Sequence, residues 1–129
     1  MNKILVEVSV GELLDKISIL EIKKEKILDV QSLKFIDKEY SILKDQFEKN
    51  IKSDQKVDEL FKSLKKINSK LWLIEDEKRS YEKNSDFGEK FIKVSREIHF
   101  LNDDRSKHKL EINKYTGSSI REIKQYTSY

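Results

Sequence analysis

Two long stretches of this chain, residues 57 to 81 and 87 to 112, repeat apolar side chains at alternating three- and four-residue spacing, and no proline interrupts them. An α-helix gathers residues at that spacing onto one face, whereas a strand would gather alternate residues, so the pattern commits most of the chain to helices. Val57, Leu60, Leu64, Ile67, Leu71, Ile74 and Tyr81 form the first seam. Phe87, Phe91, Val94, Ile98, Leu101 and Ile112 form the second. With 129 residues the chain has room for one domain and a modest core. Charged residues reach 40% and apolar ones only 36%, but periodic placement lets that smaller fraction be buried efficiently, which separates amphipathic helices from disorder.

The remaining punctuation is sparse. Residues 4 to 8 are apolar and β-branched around Glu7, and they predict a short strand or extended arm that must lie on the bundle or pair with a second copy. Ser9 and Glu12 stand at capping-box spacing, with Val8 and Leu13 as the accompanying hydrophobic staple. A first helix then runs to about Leu28, with Val10, Leu13, Leu14, Ile17, Leu20 and Ile27 on one face and Ile19 and Ile22 on the other. Apolar residues on both faces mean that this helix is central or that its outer face meets another chain.

A shift of apolar phase near residues 29 to 32 separates this helix from a second, or bends a single one. The second carries Leu33, Ile36, Tyr40, Leu43 and Phe47. The polar stretch 50 to 55 is a loop, and Asp54 is the N-cap of the third helix. Asp86 and Glu89 cap a fourth helix that takes in Phe87, and Gly117 ends it. The expected fold is all-α: an antiparallel bundle of about four helices, a short hairpin then a long one. It forms a single domain, 1–129, with an extended arm (1–8) and a loosely structured tail (118–129).

Several chemistries are excluded or unsupported. The absence of cysteine removes disulfides and thiolate metal sites. No apolar run approaches the roughly 20 residues of a membrane span, and the N-terminus does not read as a signal peptide, so a cytoplasmic protein is expected. The net charge of +3 comes from interleaved charges without a basic block, so no nucleic-acid or membrane partner is expected. His99 and His108 lie on different helix faces, and the acidic clusters at 75–77 and 103–104 lack ligand spacing. Neither a metal nor a cofactor is expected.

What remains is a set of polar residues beside the seams. Glu75, Arg79 and Glu82 follow one another at helical spacing in the first long helix, as do Asn102, Arg105, Lys109 and Asn113 in the second. Only four of the 27 basic residues are arginine, and Arg105 occupies a seam position, where an unpaired charge is costly. The candidate ligand-binding residues are therefore Glu75, Arg79, Asn102, Arg105, Lys109 and Asn113. They form either interhelical salt bridges or a pocket for an anionic small molecule. If Arg105 merely bridges a carboxylate, Arg105→Met should be close to neutral.

Two functional classes follow: a helical binding or assembly module, expected to be a homodimer, or a small enzyme or sensor for a phosphorylated or carboxylated metabolite. No catalytic residue stands out.

The segments VSVGELLDKISILEIKKEKI, LWLIEDEKRSYE and LNDDRSKHKLEINKYTGSSI together resemble an uncharacterised family of short, helical bacterial proteins, a domain of unknown function. The resemblance implies a helical single-domain protein and tilts the anionic reading towards a phosphorylated sugar. It marks Lys16, Glu21, Asp76 and Asp103, besides the candidates above, as positions to test.

Overall fold

The computed structural model describes residues 2–129. Four helices account for well over half of them: α1 (Val10–Lys26), α2 (Val30–Asn50), α3 (Gln55–Lys83) and α4 (Glu89–Thr116). There is no strand among the described residues, so the arm at 4–8 is not a β-element within the chain.

Local chemistry sets the helix ends. Ser9 caps α1, its Oγ accepting from the Glu12 N–H at 3.0 Å. The capping box is completed on one side only, because the Glu12 carboxylate turns to Lys109 and Lys16. Val8 stays exposed and leaves the staple open. α1 stops at Lys26, short of the expected Leu28. The chain does not continue as one bent helix, since Asp29 caps α2 by accepting from both the N–H and the Oγ of Ser32. Asp54 caps α3, accepting from the Val57 N–H at 2.8 Å.

The cap of α4 differs from expectation. Asp86 spends its carboxylate on the N–H of Gly88, two residues on, so a turn forms first and Gly88 becomes the N-cap. Phe87 is thereby left outside the helix and exposed. Gly117 ends α4 in the left-handed conformation, φ 68°, and the N–H groups of Gly117 and Ser118 both donate to the Asn113 carbonyl.

α3 and α4 form the long hairpin. α1 packs against all the other helices, whereas the α2 backbone approaches α1 alone. The core joins Leu13, Leu14 and Ile17 of α1 to Val57, Leu60 and Leu64 of α3 and to Ile112 of α4, with Tyr40, Leu43 and Phe47 of α2 packed against it. Ile22 is 1% exposed and Ile19 half-buried, so the second apolar face of α1 is covered within the chain. That overturns Ile22 as an outward-facing contact for another copy.

No helix is long and apolar enough to cross a membrane among the described residues. The segment after Gly117 carries no helix and folds back along α4. Glu122 meets Lys109, and the Tyr129 ring lies 4.6 Å from that of His99 and 5.5 Å from that of Phe100.

Candidate functional site

α1 buries a second stripe besides its leucines. Gly11, Asp15, Ser18 and Ile22 recur at helical spacing and are all buried. A carboxylate is costly there unless its oxygens are matched, and Asp15, 1% exposed, is matched closely. Arg105 of α4 donates to it in a fork, Nε to Oδ1 at 2.9 Å and Nη2 to Oδ2 at 2.6 Å. Asn68 of α3 donates from Nδ2 to the same Oδ1 at 2.9 Å and to Ser18 Oγ at 2.8 Å. Ser18 Oγ in turn donates to the Asp15 carbonyl at 2.7 Å. The result is a closed brace across three helices. Donating to the Asp15 carboxylate holds the Arg105 guanidinium above its ordinary pKa, against the opposing effect of burial.

One turn nearer the start of α1, Lys109 Nζ lies 2.6 Å from Glu12 Oε2 and 3.0 Å from Glu122 Oε2 of the tail. Burial works against the Lys109 ammonium, yet the bonds to Glu12 and Glu122 outweigh it and raise its pKa. Glu122 is held below its ordinary value by Lys124 first and Lys109 second. A turn further, Asn113 Oδ1 accepts from the Gly11 N–H at 2.6 Å, and Ser118 Oγ accepts from the Val10 N–H at 3.1 Å. Glycine is required at position 11 because α1 and α4 approach closely there. A Cβ would stand 2.5 Å from the Lys109 carbonyl oxygen and 2.9 Å from Asn113 Oδ1.

The structure thus divides the candidate residues into separate groups. Asn102, Arg105 and Lys109 come together in a cleft of about 610 Å³ between α4 and the tail, with His99, Asp103, Ser106, Lys124, Tyr126, Thr127 and Tyr129. Asn113 is buried and turned to Gly11, outside that cleft. Glu75 and Arg79 are exposed and line a different groove with Lys78, Glu82, Phe91 and Ile98. His108 bonds the Asp104 carbonyl of its own helix. Among the described residues no group of His, Cys, Asp or Glu is placed to hold a metal ion.

Asp15, Ser18, Asn68 and Glu122 are the members that the sequence reading missed. The signal that could have found Asp15 is the Gly11–Asp15–Ser18–Ile22 stripe, which carries the same helical period as the leucines. The burial of Asp15 changes what is expected of Arg105: replacing that residue alone would strand a buried carboxylate, so Arg105→Met should be costly where the sequence alone predicts a near-neutral change.

Segments from both ends and the middle of the sequence meet in this brace. The family of unknown function DUF6165 matches residues 4–129. The chain belongs to that family. No curated protein and no solved structure matches it. The DUF6165 match therefore covers the arm beyond Lys3, all four helices and the tail, and with them every residue of the brace.

Proposed function

We propose that the chain is a non-catalytic helical binding and assembly module of the cytoplasm, in which the brace fixes α1 on the α3–α4 hairpin and the cleft beside the tail receives a binding partner. One observation carries this reading: the lysines and the arginine that line the cleft already hold carboxylates. Arg105 holds Asp15, Lys109 holds Glu12 and Glu122, and Lys124 holds Glu122. With Asp103 also on the cleft wall and Lys16 beside Glu12, four acidic groups stand against four basic ones, so an added anion would compete with carboxylates already in place.

The second reading is a small enzyme or sensor for a phosphorylated or carboxylated metabolite. It is favoured by the size of the cleft, which lies in the range of small-molecule sites. Thermal melts with inorganic phosphate or citrate, against sodium chloride of equal ionic strength, separate the two. The module reading predicts equal shifts. Saturable stabilisation by phosphate that is lost in Lys109→Met would favour the metabolite reading, since a ligand at a hundred times its Kd adds about 2.7 kcal/mol.

A further inference from the structure

The N-terminal arm leaves both its backbone and its apolar side chains without partners in the described chain. Ile4, Leu5 and Val6 are 88%, 89% and 75% exposed. No backbone hydrogen bond forms between residues 2 and 8 and the rest of the described chain. Unpaired N–H and C=O groups flanked by apolar side chains make a template for strand pairing. We propose that the arm pairs antiparallel with the arm of a second copy, Leu5 facing the partner's Leu5 across a two-fold axis. This rests on the arm alone and is independent of what the cleft receives.

Symmetry and charge together select the register. A two-fold axis normal to the paired strands keeps each side chain on its own face, so only residues of the same parity can oppose one another. Centring the pair on Ile4 would set Lys3 against the partner's Leu5. Centring it on Val6 would set Glu7 against the partner's Leu5 and Lys3 against the buried partner's Ser9. Centred on Leu5, Lys3 meets the partner's Glu7 twice over and Ile4 meets the partner's Val6, so opposite charges and apolar groups each find their kind. One face then bears Ile4, Val6 and Val8 from both copies. Glu7 already accepts from Ser119 Oγ at 3.0 Å through Oε1, and Oε2 faces no partner within the described chain. A two-stranded ribbon is marginal by itself, so the association belongs to high protein concentration.

The chain has no cysteine, so a single introduced thiol reports the contact. Facing residues of an antiparallel pair have Cα atoms about 4.5–5.5 Å apart, inside the about 4.4–6.8 Å that a disulfide spans. Ile4 would stand about 8 Å from the partner's Ile4, from the strand spacing and the rise of two residues. Oxidation at about 100 μM, a concentration chosen for a marginal ribbon, should therefore turn Leu5→Cys into a covalent dimer and leave Ile4→Cys several-fold behind. Adding Lys3→Glu to Leu5→Cys should lower the yield, and adding Glu7→Lys as well should restore it. The arm lies outside the helical core, so helical circular dichroism should be unchanged throughout. A Leu5→Cys variant that stays monomeric, including one whose arm is captured by a different protein, would overturn the proposal. So would equal cross-linking of Ile4→Cys, or a charge swap that restores nothing.

Discussion

At position 11 a single missing methyl group decides how closely α1 and α4 approach. Gly11→Ala would drive a Cβ against the Lys109 backbone carbonyl and the buried Asn113 side-chain amide, neither of which is the tip of a long flexible chain. The expected loss is about 1–3 kcal/mol in urea unfolding, the usual cost of overpacking, with the Gly11–Asn113 bond lengthened or lost. The sequence made some of this site legible at the level of single residues. Arg105 stood out because a guanidinium interrupts an apolar seam. Asp15 did not, because a carboxylate near a helix start has a local explanation in capping, and only tertiary contact shows that it faces inward. Asn68 was hidden among polar neighbours for the same reason.

Helices and tail differ in how far their determinants lie along the chain. Ser9, Asp54 and Gly117 act within a few residues, so the sequence alone predicts them, as it does the apolar faces of α2 and α3. Ser9→Ala should accordingly cost about 1 kcal/mol in the same unfolding measurement. The tail was not legible, since Glu122 meets Lys109 and Tyr129 meets His99 only after the chain reverses, and no periodicity announces that. Its hold on α4 should depend on pH in a definite sense. Glu122 is depressed in the folded state, so its contribution is present above the ordinary value of 4.5 and is lost as pH falls through the lower, folded value. Nuclear magnetic resonance of residues 122–129 should show the tail releasing there. Glu122→Gln should show the weakened contact already at neutral pH. A tail that keeps its shifts in both conditions would mean that the ion pair does not hold it.

Across the whole molecule, α1 is the hub. The number and order of the helices follow from periodicity, and the two apolar faces of α1 left open a central helix or an interface. The structure settles Ile22 in favour of the first. The central position of α1 depends on burying Asp15 against Arg105 and Asn68, which requires that pair to be a structural brace. A double-mutant cycle in urea, with Asp15→Leu, Arg105→Met and both together, tests it most directly. Arg105→Met should lose about 3–5 kcal/mol, because it strands a buried carboxylate. Asp15→Leu should lose less, because Arg105 borders the cleft and can turn to water. The double variant should recover most of the loss, apolar side chains replacing a paired charge. An Arg105→Met variant as stable as the parent, with additive effects in the double, would contradict the brace and return Arg105 to the role of a ligand-binding residue.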